Sequence, residues 1–118
     1  VHPRTLQPDA MAQVELVVQN LGGEVWRGGE PYPCRLGVIE PLEGSVFYIP
    51  GRWLTPGRAA ELPPGAEVGP LECADFCVPL RAPPEPGPYR EVWGLVIEGR
   101  NWIPVLQGIE IVIDVREG

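Results

Sequence analysis

The chain contains no lysine, one histidine (His2), one serine (Ser45) and one methionine among its 118 residues. All nine basic residues are arginine, against sixteen acidic ones, for a net charge of −7. A nucleic-acid-binding surface needs a positive stripe to displace counterions, and this composition supplies none. An anionic membrane surface would repel the chain for the same reason. One serine and one histidine leave a single pair from which a Ser-His-acid triad could be drawn, with His2 in an extended lead-in. Without lysine a GxxxxGK[ST] phosphate loop is impossible, and no GxGxxG follows a strand. A blue-copper centre needs two histidines with a cysteine. No apolar run approaches the ~18 residues of a membrane helix, so membrane insertion is not expected. Carboxylates are abundant, but in an acidic chain Glu15, Glu40 and Glu98 read as solvated strand faces. The expectation is a non-enzyme with no cofactor and no metal.

What is present is proline (16) and glycine (15), about one residue in four, with 44% hydrophobic residues. The prolines and glycines interrupt Val/Ile/Leu/Trp stretches without a collagen period, which predicts short strands cut by turns. Arginine in place of lysine fits GC-rich coding, and proline-rich loops would also suit a heat-adapted source. The length predicts one domain over residues 1–118. The chain begins at Val1 without a leader and reads as a segment of something longer.

Val14, Leu16 and Val18 alternate with polar residues in Ala12–Asn20, the period of a half-buried strand, and Leu21–Gly23 is a turn signal. Further strands are predicted at Tyr32–Glu40, Ser45–Ile49 and Leu71–Arg81, the last irregular near Pro79. The clearest are Tyr89–Glu98 and Ile109–Val115, joined by a loop containing Arg100, Asn101 and Trp102. Trp53–Leu54 and Glu61–Leu62 add a little strand within the Pro/Gly-rich passage 50–70. The expected fold is all-β: an immunoglobulin-like antiparallel β-sandwich of about 7–8 short strands.

The run QNLGGEVWRGGEPY (Gln19–Tyr32) resembles the N-x-G-x-x-x-W-x-x-G passage of the four-tryptophan immunoglobulin-like domain, found in selective-autophagy cargo receptors and bacterial multidomain proteins. Asn20, Gly22 and Trp26 carry that first signature. Pro64, Gly65, Ala82, Pro83, Pro86, Gly87, Tyr89, Trp93, Leu95, Gly99 and Trp102 follow a second, in which a Pro-Gly turn leads through P-G-x-Y into x-x-W-x-L. The first family tryptophan falls near Leu16 here, Trp102 stands where phenylalanine is usual, and Trp53 lies in the unmatched middle. The resemblance implies binding of a folded protein partner through loops and one sheet face. Independently of it, Asn20–Gly23 is expected to reverse the chain because Asn and Gly tolerate positive φ. Trp26 would cap an end of the core, Trp93 would lie in it, and Tyr89 would anchor a Pro-Gly-Pro corner through its hydroxyl.

Cys34, Cys73 and Cys77 lack the paired knuckles of a zinc site. On one strand Cys73 and Cys77 stand about 13 Å apart at ~3.3 Å per residue, too far to share an ion. A disulfide from Cys34 to Cys73 or Cys77, leaving one thiol free, stands beside the alternative of buried thiols acting as small apolar groups. The candidate binding residues are Tyr48, Arg52, Trp53, Arg100 and Trp102, aromatics beside arginines in Gly/Pro-rich loops, a composition favoured at interfaces. Phe47, like Tyr48, Trp53 and Trp102, falls outside the best core positions. The expected work is binding a protein partner or presenting neighbouring domains of a parent chain. The alternatives are a sugar polymer stacked on the same aromatics, or a purely structural stalk.

Overall fold

A computed structural model describes residues 4–103 and 109–117. In chain order the strands are β1 (Arg4–Leu6), β2 (Met11–Gln19), β3 (Trp26–Arg27), β4 (Cys34–Glu40), β5 (Arg58–Glu61), β6 (Glu67–Val68), β7 (Cys73–Arg81), β8 (Gly87–Ile97), β9 (Asn101–Trp102) and β10 (Ile109–Val115). No helix occurs among the described residues. The fold is all-β, as the turn-rich composition requires. A major sheet runs β1-β10-β8-β4-β5, with β9 paired to β8 beyond the end of β10. A minor sheet pairs β2 with β7, and β3 pairs with β6.

Alternation builds the core. In β7 the even positions Ala74, Phe76, Val78 and Leu80 are buried while the odd ones face out. They share one core with Leu36 and Val38 of β4, Trp93 and Leu95 of β8, and Ile111, Ile113 and Val115 of β10. Each such side chain removed from water contributes roughly 1.5–3 kcal/mol. On β2 the inward residues Ala12, Val14, Leu16 and Val18 are only half-buried.

Five expectations need correction. The pairing is not purely antiparallel, because β1 lies parallel to β10 (Arg4 opposite Ile113). The chain crosses from the major sheet to the minor one at Gln7–Ala10, where Asp9 takes φ 62° and Ala10 N–H bonds Gln7 O at 3.1 Å. β1 and β2 thus join different sheets and cannot form a hairpin, so tertiary packing chooses the neighbour of β1. Ser45–Ile49 is not a strand. Side chains take its amides: Ser45 Oγ accepts from Phe47 N–H and Glu91 Oε2 from Val46 N–H, both at 2.9 Å. Phe47 then drops, fully buried, into the core.

Asn101–Trp102 is a strand rather than loop, because Gly99 at φ 80° closes the reversal in few residues. Strands number ten among the described residues rather than 7–8, the excess being the two-residue pieces β3, β6 and β9. Pro79 leaves β7 regular: the register with β2 runs unbroken from Gln19↔Cys73 to Met11↔Arg81. A strand residue points its N–H and C=O to the same side, and Pro79 O accepts the Trp53 indole N–H at 2.6 Å, away from β2. The N–H that proline lacks is one β2 never uses.

Candidate functional site

The hairpin β8–β9 organises the exposed chemistry. Trp93 of β8 faces inward, so Gly94 faces outward, where it lies opposite Gly37 of β4. Two opposed glycines leave a shallow seat on the outer face of the major sheet. The Trp102 indole occupies its Gly37 side, where a methyl group would stand 2.8 Å from Trp102 Cη2; a methyl group on Gly94 would meet Ile39 Cδ1 at 2.8 Å, with Trp102 Cε3 farther off at 3.9 Å. Glycine therefore marks the close approach of a ring at Gly37 and of the Ile39 side chain at Gly94. Trp102 remains 41% exposed.

The Arg58 guanidinium lies over the Trp102 ring, 5.1 Å from its centroid. Two contacts to the Glu98 carboxylate, at 3.0 and 3.2 Å, hold Arg58, and its third nitrogen donates to Gly57 O. Arg35 donates to Glu98 at 3.1 Å and to Glu61 at 3.1 Å. A two-pronged guanidinium–carboxylate contact fixes both direction and distance. Hydrogen bonds from Arg58, and then from Arg35, hold the Glu98 carboxyl below its ordinary range, against the opposing effect of partial burial. Glu98 is thus the anchor of an ion cluster rather than a solvated strand residue. The arrangement presents a cation and an aromatic ring with their torsions already spent. Such a pair makes contacts at low entropic cost.

The expected binding residues do not assemble. Trp53 is buried: its ring packs edge-on against Trp93 at 5.6 Å and against Tyr48 at 6.0 Å, and its indole N–H reaches Pro79 O. Trp53 touches the inner side of β8 and Trp102 the outer side, so they cannot share a surface. The reason is the long connection 41–57, which folds over the open side of β7 and uses Phe47 and Trp53 as plugs. Tyr48 is half-buried beside Trp53, and Arg52 lies exposed near Gln13 and Pro79. Arg100 stacks on the Tyr32 ring at 5.3 Å. They border an end cleft of about 370 Å³, between the β2–β4 connection and the β8–β9 turn, whose floor includes Trp26 and Ile97. Sequence reasoning missed Arg35, Arg58, Tyr32 and the clamping role of Glu98. Gly37 and Gly94, inside otherwise good strands, were the available signal.

The turn and corner residues act structurally. Asn20 is fully buried; its Nδ2 donates to Glu24 O at 2.8 Å and Val68 O at 2.9 Å, and its Oδ1 accepts from Gly22 N–H at 3.0 Å. Neither Asn20, Gly22 nor Gly23 takes positive φ. The side-chain amide, not left-handed backbone, reverses the chain. Trp26, buried, pairs across to Val68. Tyr89 donates its hydroxyl to Glu85 O at 2.7 Å, closing the Pro-Gly-Pro corner. Trp93 donates to Glu91 Oε1 at 2.9 Å, and Glu91 is itself buried.

No disulfide joins Cys34 to Cys73 or Cys77; all three are free. Cys34 points into the core, whereas Cys73 and Cys77 occupy the outward positions of β7, so the sulfurs lie on opposite sides of the minor sheet. Burial pushes the Cys34 thiol up to about 11, making it a small apolar group. Among the described residues no three His, Cys, Asp or Glu side chains converge to hold a metal; His2 lies outside them. No known protein family matches the chain, and no curated protein matches it either.

Proposed function

We propose that this domain is a non-catalytic immunoglobulin-like sandwich of the four-tryptophan type that binds another protein, either a separate partner or a neighbouring domain. The contact surface is the outer face of the major sheet at Trp102 and Arg58. The observation that carries the reading is the exposed Trp102 ring, seated on Gly37 beside an arginine clamped by Glu98. Trp and Arg dominate interface hot spots, and a preorganised pair loses little freedom on docking.

The immunoglobulin-like assignment draws support from three features. The split of β2 and β7 from β10, β8 and β4 follows the two-sheet division of that fold. Tyr89, near the start of β8, bonds back to Glu85 O as a corner tyrosine does. Two residues further on, where antibody domains carry a disulfide cysteine, Glu91 is buried and ties β8 to Val46 N–H. Arg58 over the indole favours protein contact over sugar stacking, since a pyranose needs an open ring face.

The test is affinity capture from an extract of the source cells with wild type and Trp102→Ala, alongside a polysaccharide panel. A captured protein whose affinity falls at least about 30-fold in Trp102→Ala is the expected result. Identical capture by both proteins, or saturable polysaccharide binding abolished by Trp102→Ala, would overturn the reading.

A further inference from the structure

We infer that β2 is a docking edge, on which a second copy of this chain adds its own β2 in antiparallel register about a two-fold axis through Val14. The inference concerns the minor sheet and is independent of the Trp102 surface.

Among the described residues, the open edges differ in length and protection. β1 has three residues, and β5 has four with a bulge at Leu36/Gly37 of its partner strand. The outer edge of β7 is covered by the 41–57 connection, through Trp53 Nε1 on Pro79 O and Arg81 N–H on Phe47 O at 3.2 Å. β2 has nine residues without a bulge, without proline and without lysine, and among the described residues only the Arg4 side chain, on Gln13 O, reaches its outer side.

The register shows which of its backbone groups face outward. Gln13 lies opposite Pro79, whose carbonyl turns away from β2; in an antiparallel pair, directly opposed residues both point in or both point out. Gln13 therefore points away from β7, and with it Met11, Glu15, Val17 and Gln19. Arg4 confirms this by donating to Gln13 O from the open side. The side chains of the same odd positions include two exposed apolar ones, Met11 at 58% and Val17 at 67%. The even positions leave a half-exposed apolar row, Ala12, Val14, Leu16 and Val18.

The occupant follows from complementarity of this edge with itself. Pairing about Val14 sets Met11 opposite Val17, Gln13 opposite Glu15, and Ala12 opposite Leu16 on the inner face. The odd pairs become the hydrogen-bonded ones, each exchanging both amide contacts. Arg4, which must yield Gln13 O to the Glu15 N–H of the second copy, then meets that Glu15 carboxylate, and symmetry makes this contact twice. Pairing about Glu15 would oppose two glutamates, and pairing about Ala12 would oppose Glu15 to Asp9. Like charges directly opposite are unfavourable. Pairing about Leu16 leaves Arg4 facing a glutamine. The −7 charge of each copy resists association at long range but is screened within about 8 Å at physiological ionic strength.

The test is sedimentation equilibrium of the whole chain, under reducing conditions so that Cys73 and Cys77 do not cross-link. Wild type is expected to shift reversibly toward twice 12.9 kDa as its concentration rises. Glu15→Pro removes an outward N–H that the β2–β7 ladder does not use, so it should remain folded by circular dichroism yet be monomeric, whereas Glu15→Ala should still associate. Should Glu15→Pro fail to fold, charge exchange serves instead. Arg4→Glu should weaken the dimer by about fivefold or more, and Arg4→Glu with Glu15→Arg should restore it. A wild type monomeric up to about 1 mM, a folded Glu15→Pro that still dimerises, or absence of rescue in the double variant would each overturn the inference.

Discussion

The two faces of β8 use tryptophan in opposite ways. On the inner face Trp93 is sealed: it stacks edge-on with Trp53, and its indole N–H is spent on the buried Glu91. On the outer face the strand offers Gly94 and Val96, and Trp102 arrives from β9 opposite Val96 to lie against Gly37 of the neighbouring strand. The inner ring is fixed by what surrounds it on every side. The outer ring is fixed from beneath by glycine and flanked by Arg58, and it keeps two-fifths of its surface in water. One residue type thus serves packing on one side of a strand and presentation on the other. Its neighbours, rather than the tryptophan itself, decide which.

The largest expected effect tests the inner side. Trp93→Ala should cost about 3–5 kcal/mol in urea unfolding, because it empties the centre of the core and leaves Glu91 without its indole donor. A loss no larger than that of Trp102→Ala would erase the distinction between the faces. Next comes Gly37→Ala. Its methyl group meets Trp102 Cη2 at 2.8 Å, so the ring must lift, at about 1–3 kcal/mol. Acrylamide should then quench Trp102 more strongly than in wild type, and an unchanged quenching curve would mean that the ring does not rest on the glycine.

The smallest effect sharpens the outer side electrostatically. Glu98 has a lowered folded-state pKa, so its contribution to stability is present above the unfolded value of about 4.5 and is lost as pH falls through the folded one. Glu98→Gln should flatten that acid limb of a Tm-versus-pH curve and cost no more than about 1 kcal/mol near neutrality. An acid limb identical to wild type would show that Arg58 and Arg35 are not held by this carboxylate.

Much of the fold was legible in residues with strict alternation. Val14, Leu16 and Val18 on β2, and Ile111, Ile113 and Val115 on β10, carry the period of two that a sheet with one packed face imposes. Ser45–Ile49 misled because aromatic and β-branched residues favour strands and core plugs alike. The choice fell to Glu91, 45 positions away from Val46, which takes an amide that a ladder would have used. Trp53 misled for a related reason: flanking glycine and proline indicate a loop, but not whether that loop folds inward. The site was less legible than the fold. Trp102 and Arg100 were visible as aromatic and cation, while Arg58, 44 positions from Trp102, was joined to it only when β4 brought β5 and β8 together.

By itself the sequence determined an all-β chain broken by proline and glycine, the principal strands with their alternating faces, and a net charge of −7. These properties are local or compositional, set by backbone torsion limits and by which side chains leave water. Tertiary structure alone decided that β1 runs parallel to β10, that Phe47 and Trp53 fill the interior, that Trp102 stays at the surface, and that β2 pairs, among the described residues, with β7 alone. Each of these depends on which distant segment packs most favourably against a given backbone or apolar surface, a competition among contacts many residues apart that no local pattern encodes.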